Sequence, residues 1–380
     1  MTDSPLKTKL QSCENKPVSI SGFSIGHRGA PLQFPEETVQ SLDAAARMGA
    51  GVLECDVAFT QDRGLVCRHS LCDLHTTTNI LTIPELASKC TVPFTPANGT
   101  SPAYALCCTS DITTAEYSTL CGKQDGFNAS ATTPEDYQNG TPNWRTDLYN
   151  TCGTPLTLNE YIDLVDSYPG HRNFTPELKT PPVPMPFNGY TQQQYAQDLI
   201  DAFRNKSIAP SRVWLQSFLY DDVLYWLKND REFGAQAVFL QEYDTPETLA
   251  AGMKNLPSVR AAGVNIIAPA IPMLVTIGGP DNNTIVESEY SKAIKANGMD
   301  IIAWTFERSG PLATVDAREE YYFNSIANIT QYDGQYYVLL DVLANEIGVK
   351  GLFSDWAATV TYFANCFGLE GPKGGSYSCE

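Results

Sequence analysis

Basic charge, histidine and long apolar runs are all scarce in this chain of 380 residues. Only 25 lysines and arginines face 43 aspartates and glutamates, a net charge of −18. Binding a polyphosphate needs a basic surface that releases counterions, so nucleic acid is excluded as a partner. The same sign opposes docking on anionic lipid, and no stable membrane association is expected. No segment approaches the ~20 continuous apolar residues that cross a bilayer, which predicts a soluble protein. The opening MTDSPLKTKLQSCENK lacks a basic start leading into an apolar core, so no signal peptide is expected in it. That fits a mature form behind an added Met. The acidity itself reads as extracellular solubility.

What is present points the same way. Six of the eleven cysteines (Cys72, Cys90, Cys107, Cys108, Cys121 and Cys152) crowd one stretch with little apolar periodicity. No CxxC pair marks a zinc site, so disulfides are expected, with one cysteine of the odd number left over. Cys13, Cys366 and Cys379 are placed to tie the two ends together. Seven Asn-x-Ser/Thr sequons, at Asn98, Asn128, Asn139, Asn173, Asn205, Asn282 and Asn328, add N-glycans to the expectation. The combination predicts a secreted eukaryotic glycoprotein.

Short apolar runs alternate with amphipathic segments almost regularly. Strands are expected at residues 22–27, 52–60, 64–69, 173–179, 212–218, 237–243, 264–270, 300–306 and 351–354. Helices are expected at 38–48, 157–167, 191–205, 221–229, 246–258, 288–296, 336–347 and 357–366. Alternation of this kind builds right-handed β-α-β units and a parallel sheet. Eight units with one strand hairpinned onto the second give an α/β fold, a (β/α)8 TIM barrel. Two stretches break the rhythm. Residues 71–155 are expected to form a disulfide-stapled insertion at the barrel mouth, leaving 1–70 and 156–380 as the catalytic barrel, and residues 308–334 form a rim loop.

The chemistry starts in LECDVAFTQDRGLVCRH, residues 53–69. Strand side chains alternate, so Glu54 and Asp56 share one face and Cys55 takes the other. Two ionised carboxylates that close repel unless a positive charge lies between them, and a hard divalent cation, Mg²⁺ or Ca²⁺, is the natural partner. The phrase GHRGA ends the first strand and supplies His27 as a titratable nitrogen and Arg28 as a permanent planar cation. His69 ends the hairpin strand, so two of the four histidines converge with the carboxylates on one rim. In FTPELKT, Glu177 adds an oxygen ligand and Lys179, on the same face, an ammonium for phosphate charge. WLQSF and AWTFE place Gln216 and Trp304 near strand ends, where barrel core residues also sit.

With these residues in view, the chain resembles the glycerophosphodiester phosphodiesterase family. Its pattern appears as His27-Arg28-Gly29, Pro35-Glu36-Glu37-Thr38, Glu54-Cys55-Asp56-Val57, Thr60-Gln61-Asp62-Arg63-Gly64 and His69. It continues in Glu177-Leu178-Lys179, Gln216-Ser217-Phe218, Trp304-Thr305 and Gly351-Leu352-Phe353-Ser354-Asp355. The resemblance implies a barrel that hydrolyses glycerol-based phosphodiesters with one divalent metal held by Glu54, Asp56 and Glu177. It implies His27 and His69 as general acid and base, and Arg28, Lys179, Gln216 and Trp304 toward the small-molecule substrate. Two departures stand out: Ser70 follows the second histidine where many relatives have Asp, with Asp73 three residues later, and Glu37 replaces the usual Asn.

Two other functions compete. A sphingomyelinase D-like phospholipase of the same barrel superfamily shares two histidines and a Glu-Asp metal site, but lacks so large a Cys-rich insertion. A secreted, non-catalytic binding barrel would have lost part of the set. Aromatic loop residues Trp144, Tyr149, Tyr321 and Tyr322 offer a cation-π pocket for choline. Alternation along its own strand puts Cys67 on the His69 face, where a free thiol is expected, and Cys55 is expected as a small buried hydrophobe.

Overall fold

Nine strands form the principal sheet: β1 (Ser21–Gly26), β2 (Ala50–Phe59), β3 (Leu65–Cys67), β4 (Asn173–Leu178), β5 (Gln216–Ser217), β6 (Val238–Gln241), β7 (Ile266–Pro269), β8 (Asp300–Phe306) and β9 (Gly351–Ser354). In this computed structural model, which describes residues 1–146 and 152–372, their order is β1-β9-β8-β7-β6-β5-β4-β2-β3, and β1 also pairs with β2. Eight strands thus close on themselves, and β3 lies antiparallel on β2. This is the expected (β/α)8 barrel with its hairpin.

The helices fall where the periodicity puts them: α1 (Val39–Arg47), α2 (Leu158–Ser167), α3 (Gln192–Asn205), α4 (Tyr220–Asn229), α5 (Pro246–Ala261), α6 (Glu289–Ala296), α7 (Tyr336–Asp341) and α8 (Ala357–Phe367). Several starts are written into the sequence. Thr157 accepts the Glu160 N–H at α2 while the Glu160 carboxylate takes the Thr157 N–H at 2.9 Å, and Thr191 with Gln194 repeats the arrangement at α3. Such reciprocal caps satisfy two donors that a helix start otherwise leaves open. Strand β5 is shorter than expected because residues 210–212 curl into a 3₁₀ turn, and only Gln216 and Ser217 join the ladder.

The chain divides into two compact units. The first comprises residues 1–26, 48–52 and those from Pro210 on, and its core gathers Ile25, Val52, Trp214, Val238, Leu240, Ile266, Ala268, Ile302 and Phe353. The loop at 308–334 is organised within this unit by Arg318, whose guanidinium donates to the Ser309 and Pro311 carbonyls and the Thr314 hydroxyl. The second unit, residues 27–47 and 53–209, is built around aromatic pairs, Tyr161 with Phe174 and Phe174 with Phe203, whose ring centroids lie 5.9 and 5.3 Å apart. Here Tyr161, fully buried, donates its hydroxyl to the Leu53 carbonyl at 2.7 Å, fixing β2 one residue before Glu54. Tyr161→Phe leaves that carbonyl without its donor, and is expected to cost about 1–3 kcal/mol in denaturant unfolding. An unchanged midpoint would mean the carbonyl is satisfied otherwise.

Among the described residues five disulfides join Cys13 to Cys366, Cys55 to Cys67, Cys72 to Cys108, Cys90 to Cys107 and Cys121 to Cys152. Three lie wholly within 71–155, and one ties the ends as expected; Cys379 lies outside the described residues. The free thiol expected at Cys67 is not found. Cys67 stands opposite Val57 in the antiparallel ladder, and cross-strand partners point to the same side. Val57 shares its side with Cys55, two residues away, so both sulfurs lie behind the carboxylate face. Cys55 is therefore a disulfide partner as well as a buried residue.

Candidate active site

The second unit carries seven of the nine expected site residues. The turn after β1 is the first builder. Arg28 and Gly29 both take left-handed backbone angles, with φ of 53° and 91°. A Cβ on Gly29 would lie 2.4 Å from the Ser41 hydroxyl oxygen, so only glycine fits. That hydroxyl accepts the Ala30 N–H at 2.7 Å and donates to the Arg28 carbonyl at 3.0 Å. So held, Arg28 turns its backbone N–H onto Glu54 Oε2 at 2.9 Å, and His27 Nε2 lies 3.9 Å from the same oxygen.

The carboxylates then assemble as alternation predicts. One oxygen each from Glu54, Asp56 and Glu177 lie within 4.8 Å of one another, all three residues buried. Arg28 Nε stands 3.2 Å from Asp56 Oδ2, and Arg28 Nη1 reaches Glu36 Oε1 at 3.1 Å. Lys179 Nζ contacts Glu177 Oε1 at 2.7 Å and Asp56 Oδ1 at 3.6 Å. Four carboxylates therefore face two permanent cations, leaving two negative charges unbalanced, the charge of one divalent ion.

The titration of the cluster reflects that imbalance. Burial, then the charges of Asp56 and Glu177, pushes the Glu54 carboxyl well above its usual range. Burial also pushes Glu177 up to about 8, with Lys179 opposing and Asp56 adding. Burial works against the charge of Asp56 too, yet Lys179 and Arg28 outweigh it and hold that carboxyl far below the usual range. Burial and mutual repulsion thus disfavour the charged forms of Glu54 and Glu177 unless a further positive charge is present, and an all-oxygen donor set suits a hard cation.

His69 lies beyond the end of β3, partly exposed, with Glu36 and Asp73 close by. Burial, Arg28 and Lys179 hold its imidazole well below the ordinary value, so its neutral form prevails. Gln216 and Trp304 belong to the first unit. Gln216 is buried in β5. Trp304 donates Nε1–H to the Ala268 carbonyl at 2.8 Å and packs edge-on against Phe218 and Tyr322, with centroids 5.6 and 5.9 Å away. Tyr321 and Tyr322 adjoin at 5.2 Å. Trp144 is half-buried, and Tyr149 lies outside the described residues.

Sequence reasoning gave no role to three further acids, Glu37 and Glu307 buried and Asp73 half-buried. Glu37, at φ 59°, accepts the Asp56 N–H at 3.0 Å and so braces the ligand-bearing strand; its replacement of the family Asn was the available signal. Asp73 adjoins His69. Glu307, just past β8 at φ 66°, receives the Ser354 hydroxyl at 2.7 Å. Burial pushes Glu307 up to about 8, against the hydrogen bonds of Ser354 and Thr359. The unfolded chain releases that proton near pH 4.3, so over the window between, the folded state holds a proton the unfolded state has lost, and stability falls as pH rises. Glu307→Gln is expected to flatten this slope by on the order of a few kcal/mol between pH 5 and 8 in denaturant unfolding. Equal slopes in both proteins would rule out Glu307 as the source.

Comparison with known proteins gives the class. The family model for the glycerophosphoryl diester phosphodiesterase family matches residues 27–359. A protein of Arthroderma benhamiae named "Extracellular protein" is 46% identical over 248 residues, covering 64% of this chain and all of that one. The glycerophosphodiester phosphodiesterase GDPD6 of Arabidopsis thaliana is 24% identical over 378 residues, covering 93% and 89% of the two chains. Among solved structures, a candidate glycerophosphoryl diester phosphodiesterase of Silicibacter pomeroyi superposes with a TM-score of 0.59 at 17% identity, covering 94% and 98%. An Oleispira antarctica phosphodiesterase in complex with the product sn-glycerol-3-phosphate superposes at 0.53 and 16%, covering 92% and 97%. The chain belongs to the glycerophosphoryl diester phosphodiesterase family and is a phosphoric diester hydrolase of the (β/α)8 class.

Proposed function

We propose that the chain hydrolyses glycerophosphodiesters such as glycerophosphocholine, with one divalent cation, Mg²⁺ or Ca²⁺, held by Glu54, Asp56 and Glu177. The observation that carries this is the buried carboxylate cluster, two charges short of neutrality. When bound, the cation withdraws charge from the non-bridging phosphate oxygens. Arg28 and Lys179 bind those oxygens from the protein side, where preorganised cations favour the more highly charged transition state. One imidazole of the pair His27 and His69 takes the proton of the attacking hydroxyl, from water or from the substrate itself. As the new P–O bond forms, the other gives a proton to the departing alkoxide. Gln216 and Trp304, in the first unit, carry over from the family resemblance as substrate-side residues.

Secretion belongs to this proposal and is supported by the disulfides and by the relative named an extracellular protein; no helix among the described residues is long and apolar enough to cross a membrane. N-glycans belong to the same reading, and six of the seven sequon asparagines carry solvent-reachable side chains outside strands. Residues 71–155, with three internal disulfides, are read as an insertion at the mouth of a catalytic barrel formed by 1–70 and 156–380. The testing experiment is phosphorus NMR of glycerophosphocholine with chelated protein. The diester resonance is expected to persist, then convert to a cyclic or monoester phosphate once Mg²⁺ or Ca²⁺ is added. Full turnover in the presence of chelator would overturn the metal site. Turnover of sphingomyelin alone would move the chain to the sphingomyelinase D-like class.

A further inference from the structure

We propose that Asp73 is the positioning residue for His69. The proposal rests on the acid-base reading of His69 given above. Strand β3 ends at Cys67, so no ladder holds residue 69, and something else must fix the imidazole. The loop that follows folds back on the Asp73 carboxylate, which accepts the Ser70 N–H at 3.0 Å on Oδ2 and the Thr77 hydroxyl at 3.3 Å on Oδ1. This brings a carboxylate oxygen of Asp73, one of Glu36 and a ring nitrogen of His69 within 4.8 Å of one another. Glu36 is engaged by Arg28 at 3.1 Å, and Asp73, on the loop that carries His69, is the second acid at the ring. A separation of this size is spanned by one water or closes in the substrate complex. An acid on one side of an imidazole fixes its orientation and favours the protonated form that arises when the ring takes a proton.

The plainer reading is that Asp73 only holds a turn, since its carbonyl also receives the Thr76 and Thr77 N–H groups at 2.9 and 3.1 Å. An asparagine leaves that backbone carbonyl in place, and its side chain can still hold the turn, the amide oxygen accepting the Ser70 N–H and the amide nitrogen donating to the Thr77 hydroxyl. Asp73→Asn therefore separates the two readings. Assays belong at pH 8, above the value of about 7 to which burial pushes this carboxyl. The substitution is expected to lower kcat about tenfold with KM and thermal stability unchanged. It should have no further effect in a His69→Ala background. An unchanged kcat, or a loss of the same factor with and without His69, would overturn the proposal. Full activity of His69→Ala would instead overturn the acid-base reading beneath it.

Discussion

His69→Ala is expected to lower kcat/KM for glycerophosphocholine by a factor of about 10² to 10⁴, the range of positioned proton transfer. The side chain is partly exposed and stands beyond the end of β3, so its removal opens no large cavity and the fold should survive intact. Neutral in its setting of Arg28, Lys179 and partial burial, it is in the protonation state that can accept a proton. His27→Ala should cause a loss of similar size through the other half of the proton inventory. It also leaves Glu54 without its neighbour at 3.9 Å, so a modest change in cation affinity should accompany it. Parallel measurement of thermal unfolding separates a catalytic loss from a folding one. If both variants keep wild-type rates with cation present, the two histidines are structural and the reaction uses another base.

The second large effect is expected from removing the Cys55–Cys67 disulfide by the paired change Cys55→Ala and Cys67→Ala. The bridge closes a separation of 12 residues, for which chain entropy alone implies about 3 kcal/mol of stability. Its position makes the loss more than thermodynamic. Cys55 lies between Glu54 and Asp56, and Cys67 precedes the residues that lead to His69, so the bridge pins both strands of the hairpin behind the site. A weaker affinity for Mg²⁺ or Ca²⁺, read by calorimetric titration, should therefore accompany the fall in unfolding free energy. Cys13→Ala with Cys366→Ala serves as the contrast. That bridge spans 353 residues, and its loss should lower stability while leaving cation affinity as it was. Equal cation affinities in all three proteins would remove the disulfide from any part in shaping the site.

Much of the fold and site was legible in the sequence because the relevant signals are local. Strand and helix periods repeat within a few residues, and caps such as Thr157 with Glu160 sit three residues apart. Period-2 alternation put Glu54 and Asp56 on one face and brought Glu177 and Lys179 together, and the structure joins all four through contacts of 2.7–3.6 Å and the shared carboxylate cluster. Register between strands is a different matter. Alternation along β3 alone assigned Cys67 to the wrong side, because only its partner Val57 says which way it points, and pairing is settled by the packing of whole faces. The same holds for Asp73, returned to His69 by a loop without periodicity, and for Glu307, whose burial beside Ser354 joins residues 47 apart. By itself the sequence determined the alternation of strands and helices and which residue types could do the chemistry. Only the tertiary structure decided the cross-strand disulfide, the approach of Asp73 to His69 and the charge balance of the cluster, since each depends on distances between segments that no local pattern encodes.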